Sequence, residues 1–363
     1  MASGLIPPAP PFQYPVSWGP DMPPDHQAVW ALKVALAYFF IGLGSMIIAV
    51  TALNDSRIAV TATGNINPLD SIRDVSKFKL SLGLTSLITV LLGLVLLVLD
   101  AGKPATAWEI ITYGIEYGRW ESWMFLGTIF LSVLVLVILI YIGIWLGGIN
   151  RIFSKLTSWY IVKGGFYYSR YVLIALALIF GILGASYGGV LFSLTNVALW
   201  RNPIIVILFP VSGLSSAAAV GMILTFLIKD VNVRESNLIL WSTIDLFSEI
   251  GEAILTALFL YIGILNPNSA ISVQQVLYER YSAYFWTLVV TLGLAIPMLL
   301  EIVMHKISPY KYKYIVPIIT ILVLIGAASL RYYVVIASAY YYSPLSPFTP
   351  IQLQFPWGTT WGE

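Results

Sequence analysis

The sequence contains no cysteine and only two histidines, His26 and His305. A chain without thiols forms no disulfide, offers no thiolate nucleophile and supplies no cysteine ligand to an iron–sulfur cluster. A transmembrane cytochrome b with two haems takes a pair of axial histidines for each haem, which two histidines cannot provide. These absences indicate that any haem or iron–sulfur cluster working with this protein is held by another chain.

Charged residues are scarce as well: they make up 10% of the 363 residues, whereas 59% are hydrophobic. A soluble protein carries about 25% charged residues. Apolar runs of at least ~18 residues recur along the chain, and such runs are typical of helices that cross a lipid bilayer. We therefore predict an all-α, polytopic integral membrane protein with eight transmembrane helices, arranged as two four-helix bundles. The net charge of +2 gives no indication of nucleic-acid binding.

The apolar runs also predict the domain organisation. The eight spans lie at residues 29–53, 78–99, 122–148, 170–194, 203–228, 236–265, 281–304 and 314–342. Each can cross a hydrocarbon layer of about 30 Å at a rise of about 1.5 Å per residue. Around this transmembrane domain, residues 29–342, the tails at residues 1–28 and 343–363 are rich in proline and aromatic residues. Such tails suit either an aromatic belt on the lipid head groups or a docking surface for an outer partner.

The distribution of lysine and arginine predicts the orientation. The connections after spans 1, 3, 5 and 7 hold 13 of these residues, whereas the opposite side holds 4 and the two tails hold none. Because basic connections stay in the cytoplasm, we expect both termini to be extracytoplasmic, in a multi-pass protein of the cell membrane. Below, the side with the 13 residues is called the basic side and the side with the chain ends is called the terminal side.

Three carboxylates, Asp245, Glu249 and Glu252, interrupt the apolar run of span 6. Their spacing places all three on one helical face. An ionised group at this depth costs at least a few kcal/mol if it faces lipid, so the face must point into protein or water. Span 8 brings Arg331 to the depth of Glu252, which predicts a contact between them, direct or through water. Two interpretations follow: a structural ion pair between spans 6 and 8, or a carboxylate path that conducts protons.

A second polar group is predicted near the terminal side. Lys33 lies one turn into span 1, Asp100 closes span 2, and Tyr187 lies in the outer third of span 4. A cation, a carboxylate and a phenol at one depth suit a lipid-soluble molecule whose head group gains or loses protons. Gly184 and Gly188 have the GxxxG spacing, which lets another helix approach span 4 closely.

The connections on the terminal side contain aromatic and basic residues. We predict that Lys103, Trp123, Trp200 and Arg201 contact a partner protein there. The other interpretation of the tryptophans is an interfacial belt at the level of the lipid head groups.

Eight short motifs follow one another along the spans. They are YFFIGLGS (Tyr38–Ser45), DAGKP (Asp100–Pro104), SWMFLGT (Ser122–Thr128), YGGVLFS (Tyr187–Ser193), LWRNP (Leu199–Pro203), LFPVSGLSSAAA (Leu208–Ala219), GLAIPMLLE (Gly293–Glu301) and LRYYVVIAS (Leu330–Ser338). Eight spans with these motifs in this order resemble the polysulfide reductase membrane-subunit family, also called the NrfD/PsrC family. The chain departs from the family pattern at Gly188, where threonine is usual, and at Ala217 and Ser338, where glycine is usual.

The resemblance implies a quinone-reactive membrane subunit of a molybdopterin oxidoreductase complex. In such a complex a quinol, of the menaquinone type or an archaeal equivalent, binds near the outer ends of the first four helices. Its electrons pass to an iron–sulfur subunit with [4Fe–4S] clusters and then to a molybdopterin catalytic subunit, while the membrane chain holds no metal, haem or cluster. By similarity, Tyr187 hydrogen-bonds a quinone carbonyl and Asp100 accepts a proton or orients the quinone. Lys33 joins this site on the basis of its depth alone.

The predicted function is therefore quinol oxidation that feeds a reduction on a partner subunit. Sulfur or polysulfide is the first choice of acceptor; tetrathionate, dimethyl sulfoxide, nitrite and the chemistry of an alternative complex III are alternatives, and the reverse direction of electron flow is open. A proton-coupled secondary transporter is the rival from another class. It would show helices broken at mid-membrane, where only Pro210 and Pro297 are candidates. A bare assembly anchor that handles no quinone is a third alternative.

Overall fold

A computed structural model of the chain describes residues 32–61, 68–100, 104–161, 167–195, 197–279, 281–304 and 312–341. The predicted tails, residues 1–28 and 343–363, lie outside the described residues. The same is true of Lys103, one of the four predicted docking residues.

The described part of the chain is helical and contains no strand. Its helices are α1 (Leu32–Thr61), α2 (Pro68–Asp100), α3 (Glu109–Glu116), α4 (Trp123–Gly147), α5 (Ser154–Ile161), α6 (Arg170–Ser193), α7 (Ile204–Leu224), α8 (Val231–Leu265), α9 (Pro267–Leu277), α10 (Ser282–Tyr284), α11 (Ile296–Met304) and α12 (Tyr312–Tyr341). A π-helix, Phe285–Ala295, joins α10 to α11. Short 3-10 helices lie at Pro104–Thr106, Arg151–Phe153, Tyr167–Ser169 and Thr225–Leu227.

Eight segments of the described chain are long and apolar enough to cross a membrane. They are span 1 (Leu32–Asp55), span 2 (Val75–Asp100), span 3 (Trp123–Gly147), span 4 (Arg170–Ser193), span 5 (Ile204–Leu227), span 6 (Val231–Leu265), span 7 (Ser282–Met304) and span 8 (Lys313–Ile336). The predicted all-α membrane fold with eight spans is therefore confirmed. The short helices α3, α5 and α9 lie in the connections between spans.

The spans pack as two groups of four. In the first group, spans 1 and 3 each contact spans 2 and 4; in the second, span 5 contacts spans 6 and 8, and span 7 contacts the same two. Span 1 also contacts spans 5 and 8, and 89% of its apolar window is buried inside the protein, which is the highest share of any span. Span 1 therefore joins the two four-helix bundles.

Small residues set the distance between spans 1 and 4. A Cβ on Gly184 would lie 2.7 Å from Ser45 Oγ, and a Cβ on Gly181 would lie 2.7 Å from the Ser45 carbonyl oxygen. Such distances leave no room for a larger residue. The close approach predicted from the glycine pair of span 4 is present, and the approaching helix is span 1.

Span 7 is the irregular member of the second bundle. Its π-helix is wider than an α-helix and ends two residues before Pro297, which has no N–H to donate to the previous turn. Gly293 of this span and Gly326 of span 8 bring the two backbones into direct contact.

No span in the described ranges is broken at mid-membrane. Pro210 lies inside α7, which continues through it, and Pro297 lies inside α11 directly after the π-helix. A secondary transporter was expected to show breaks at these two positions, and neither helix is interrupted there.

Candidate functional site

Two tyrosines face each other near the terminal side of the first bundle. Tyr187 of span 4 is 7% exposed and Tyr38 of span 1 is 5% exposed. Their ring centroids are 6.2 Å apart and the ring planes cross at 73°, which is an edge-to-face arrangement. No role for Tyr38 was predicted from the sequence. Its position as the first residue of the YFFIGLGS motif could have drawn attention to it.

Glycines on neighbouring spans make room for both rings. The Tyr187 ring lies directly against Gly127 of span 3, where any side chain would overlap it. The Tyr38 ring lies against Gly188, where a Cβ would come within 2.6 Å of the ring atoms. Gly127 and Gly188 belong to the SWMFLGT and YGGVLFS motifs. Gly127 thus makes the space that the Tyr187 ring needs, and Gly188, where the family usually has threonine, makes the space for the Tyr38 ring.

Neither phenol hydroxyl has a hydrogen-bond partner among the residues that the structure describes. Tyrosine hydroxyls in protein interiors normally have a partner, because an unpaired polar group away from water is unfavourable. Among the described residues, both hydroxyls are therefore available for hydrogen bonds to another molecule.

Asp100 and Lys33 lie at the same end of the first bundle as the two phenols. Asp100 is partly exposed at the end of span 2, and Lys33 is exposed near the start of span 1. Tyr38 is within electrostatic range of both Tyr187 and Asp100, and Lys33 is within range of Asp100. The electrostatic interactions thus run from Tyr187 through Tyr38 and Asp100 to Lys33. These four residues are called the two-phenol site below.

The acidic face of span 6 points into the second bundle. Asp245 and Glu249 are fully buried, and Glu252 is 3% exposed. Ser215 of span 5 donates its hydroxyl hydrogen to Asp245 Oδ1 at 2.8 Å. Glu301 of span 7 is also fully buried, and its carboxyl group lies close enough to Asp245 to interact with it.

Glu301 is a member of this group that sequence analysis missed. It was visible only as the last residue of the GLAIPMLLE motif, and the sequence does not show that span 7 places it beside Asp245. Asp245, Glu249, Glu252 and Glu301 are called the acidic row below. Within the described ranges no three histidine, cysteine, aspartate or glutamate residues are arranged to hold a metal ion.

Arg331 lies at the contact between the two bundles. It is 1% exposed; its Nη1 donates to Ser212 Oγ at 2.9 Å and its Nη2 donates to the Phe209 carbonyl oxygen at 2.9 Å. The contact predicted between Arg331 and Glu252 is indirect. Among the described residues these two groups form no direct ion pair; Ser212 lies beside both of them and links them. The sequence did not reveal Ser212, because it lies on span 5.

The acidic row has more acid than its surroundings neutralise. Among the described residues, four buried carboxyl groups share this bundle with one buried guanidinium, that of Arg331. Both carboxyl oxygens of Glu249 lack a hydrogen-bond partner among the described residues. An ionised carboxylate in such surroundings is strongly unfavourable. Protons bound to members of the row would remove this cost.

Comparison with known proteins shows which family this chain belongs to. The family model described as "Polysulphide reductase, NrfD" matches residues 22–342. The chain belongs to the NrfD family. It is similar to the protein NrfD homolog of Haemophilus influenzae, with 23% identity over 85% of this chain and 94% of that protein. It is also similar to protein NrfD of Escherichia coli, with 26% identity over 75% of this chain and 84% of that protein. The family resemblance predicted from the motifs is confirmed.

The predicted docking residues of this NrfD-family chain differ in exposure. Trp123 is 43% exposed at the terminal-side end of span 3, and Arg201 is exposed in the connection between spans 4 and 5. Trp200 is only 2% exposed, and its indole N–H donates to the Val334 carbonyl oxygen at 2.7 Å. Its position shows that Trp200 fastens span 8 to this connection, so it does not present its ring to a partner.

A buried ion pair lies at the basic-side end of the first bundle, and it was not predicted from the sequence. Lys79 Nζ lies 2.9 Å from Asp55 Oδ1, with both side chains essentially inaccessible to solvent. Tyr141 of span 3 and Tyr160 of α5 both donate their hydroxyl hydrogens to Asp55 Oδ2. Burial, followed by the charge of Asp55, raises the pKa of the Tyr160 hydroxyl above its ordinary value. Because the charges balance and Asp55 is well bonded, this cluster fastens α5 to the bundle.

Proposed function

We propose that this NrfD-family chain binds a quinol at the two-phenol site and passes its electrons to an iron–sulfur subunit on the terminal side. The observation that carries the proposal is a pair of buried tyrosines, Tyr38 and Tyr187, whose hydroxyls form no hydrogen bond with the described residues. A quinone head group offers two oxygens to hydrogen-bond donors and is otherwise apolar. Ligand sites of this kind are apolar pockets with a few well-placed polar groups.

The charged neighbours of the phenols suit the proton chemistry of a quinol. Oxidation of a quinol releases two electrons and two protons, so the site needs a base close to the hydroxyl groups. Asp100 is such a base, and its partial exposure at the end of span 2 gives it a route to water. Lys33 places a positive charge within electrostatic range of the Asp100 carboxyl group.

An apolar surface for the quinone tail continues from Asp100 toward the middle of the membrane. Span 2 exposes Leu99, Val95, Leu92 and Ile88 along this path. An isoprenoid tail on that surface would stay in contact with the lipid while the head group reaches the phenols. The quinone enters from the bilayer in this arrangement, and no water-filled channel is required.

The division of labour among subunits follows from the position of the site. Electrons must hop a short distance from the head group to the first cluster, and the two-phenol site lies next to the terminal side. Trp123 and Arg201 are exposed on that side and suit contact with the iron–sulfur subunit. The excess of lysine and arginine on the basic side supports an extracytoplasmic position for this subunit. We assign the terminal reduction, of sulfur or polysulfide as first choice, to a molybdopterin subunit bound in turn to it.

The acidic row supports a second function, proton movement through the second bundle. Glu249 has no hydrogen-bond partner for either oxygen among the described residues, which does not suit a purely structural ion pair. Carboxyl groups that hold exchangeable protons inside a membrane are typical of proton relays. In this proposal Asp245, Glu249, Glu252 and Glu301 pass protons between the basic side and Arg331.

The first test measures quinone binding directly. The chain, purified with its bound partners, is titrated with a short-tailed quinone analogue. Tyr187→Phe is expected to weaken binding about fivefold, the effect of one lost hydrogen bond of roughly 1 kcal/mol. Tyr261→Phe is the matched control, because Tyr261 is a 59% exposed tyrosine on span 6. If the unaltered protein does not bind the analogue, the proposal is wrong.

The second test concerns the partner. A cysteine-rich iron–sulfur protein should co-purify with the chain, and an added quinol should reduce its clusters, as followed by electron paramagnetic resonance. Co-purification without cluster reduction would support the bare anchor. Solute uptake by the isolated chain in vesicles, driven by a pH gradient, would support the transporter.

A further inference from the structure

One connection on the basic side carries positive charge without any acid to balance it. Residues 148–169 join span 3 to span 4 and contain Arg151, Lys155 and Lys163, but no aspartate or glutamate. The residues between spans 1 and 2, by contrast, include two arginines and two aspartates. A surface with charge of one sign attracts groups of the opposite sign, so this connection favours an anionic partner.

The helix of this connection, α5, is held against the first bundle along one face. Thr157 donates its hydroxyl hydrogen to the Ile144 carbonyl oxygen of span 3, and Tyr160 donates to Asp55 of span 1 at 3.0 Å. The side chains of Thr157 and Tyr160 are both buried. Because these bonds fix the rotation of α5, they also fix which residues lie on its other face.

The other face of α5 combines apolar side chains with a lysine. Ile152, in the 3-10 turn before α5, is 80% exposed, and Leu156 is 39% exposed. Phe153 and Lys155 are exposed beside them. Helices that lie at the boundary between lipid head groups and acyl chains have this composition. Their apolar side chains enter the hydrocarbon, while the long lysine side chain reaches the phosphate groups.

We propose that α5 and the turn before it bind anionic phospholipids of the leaflet on the basic side. Ile152 and Leu156 lie against the acyl chains in this arrangement, and the Lys155 ammonium group pairs with the lipid phosphate. A zwitterionic lipid fits less well, because it would bring a further cation to a connection that has no carboxylate to receive it. The inference is independent of the proposed quinol chemistry.

A lipid at this surface would stabilise the basic-side end of the first bundle. Tyr160 joins α5 to Asp55, so a lipid that holds α5 in place also favours the packing around the Asp55–Lys79 ion pair. A ligand that binds only the folded protein raises its unfolding temperature. The proposal therefore predicts both lipid binding and a gain in stability.

The test compares two lipids that differ in the charge of the head group. The chain, purified in detergent with its bound partners and freed of native lipid, is titrated with phosphatidylglycerol or with phosphatidylcholine of the same chain length. Native mass spectrometry counts the bound lipid. We expect phosphatidylglycerol to be retained in preference to phosphatidylcholine and to raise the unfolding temperature. Lys155→Gln should weaken phosphatidylglycerol binding about fivefold, the effect of one lysine near anionic head groups.

Two further variants separate the proposed surface from general attraction to charge. Lys229→Gln is the matched control, because Lys229 is an exposed lysine on the same side that has Asp230 as its neighbour. It should bind phosphatidylglycerol as the unaltered complex does, and so should Lys155→Arg, which keeps the charge. An unchanged unfolding temperature in lipid-free detergent shows that Lys155→Gln is folded. Equal retention of the two lipids by the unaltered complex, or equal effects of Lys155→Gln and Lys229→Gln, would overturn the proposal.

Discussion

At the scale of single residues, this chain uses buried charge in two opposite ways. On the basic side of the first bundle, Asp55 and Lys79 neutralise each other and two tyrosine hydroxyls complete the bonding of the carboxylate. In the second bundle, Glu249 has no hydrogen-bond partner among the described residues. A balanced pair is stable without exchanging protons, whereas an excess of acid inside a membrane is tolerable only if protons are bound. Burial alone therefore does not separate structural from functional charges.

The Asp55–Lys79 pair provides the prediction at this scale. Lys79→Met leaves Asp55 buried without its cation, so the folded protein in detergent should lose roughly 3 to 5 kcal/mol of stability. Thermal or denaturant unfolding of the purified protein measures this loss. Lys229→Met, at an exposed position on the basic side, is the control and should change stability little. Adding Asp55→Leu to Lys79→Met should recover part of the loss; a larger loss in the double variant would contradict the balanced-pair interpretation.

Some residues of the acidic row and its surroundings could be recognised from the sequence, and others could not. Asp245, Glu249 and Glu252 were found because their spacing on one helix is visible in the sequence. Glu301 and Ser212 were missed because they join this group through contacts between different spans. Trp200 was assigned to the surface because it lies in a connection, and only the packing against span 8 shows that it is buried.

At the scale of helices, the eight spans could be predicted because each is a long apolar run, and their order and number follow from the sequence alone. Gly188 of span 4 packs against Tyr38 of span 1. The sequence could not show that span 1 would be the approaching helix, since GxxxG spacing indicates only that some helix approaches. The π-helix of span 7 was also not predictable, because its composition is that of an ordinary apolar helix. Helix irregularities depend on local packing.

The contact of span 7 with span 8 gives the prediction at this scale. A Cβ on Gly326 would overlap the backbone of Gly293, so Gly326→Ala should force the spans apart and destabilise the protein by about 1 to 3 kcal/mol. Gly143→Ala is the matched control, because the nearest atom to its Cβ would be Leu156 Cδ1 at an ordinary 3.8 Å. Unfolding in detergent measures both variants. Equal stability of the two would show that the Gly293–Gly326 contact is not tight.

At the scale of the whole molecule, the two bundles carry separate polar groups and meet where spans 1 and 4 pack against the second bundle. The two-phenol site lies at the terminal-side end of the first bundle, and the acidic row lies in the second. Arg331 contacts both bundles, because its Nη2 lies against Gly42 of span 1 and its Nη1 bonds Ser212 of span 5. The proposed quinol reaction and the proposed proton transfer lie in different bundles, so mutations can test them separately.

The orientation of the molecule is the first prediction at this scale. Because the chain has no cysteine, Arg201→Cys and Lys229→Cys each carry the only thiol of the chain. Both positions are exposed, on the terminal side and the basic side respectively. A membrane-impermeant thiol reagent should label Arg201→Cys in intact cells and Lys229→Cys only after the cells are opened. The reverse pattern would place the two-phenol site and its partner in the cytoplasm.

Proton movement is the last prediction, and it depends on the whole complex in a sealed vesicle. Glu249→Gln keeps the shape of the side chain and removes its ability to exchange a proton. If the acidic row conducts protons, quinol oxidation should continue at a similar rate while a pH-sensitive dye inside the vesicle records less proton movement for each quinol. Glu116→Gln, at an exposed position on α3, is the control and should leave both quantities unchanged. Equal proton movement in Glu249→Gln and in the unaltered complex would limit the acidic row to a structural role, and the two-phenol site would remain as the place where this chain does its chemistry.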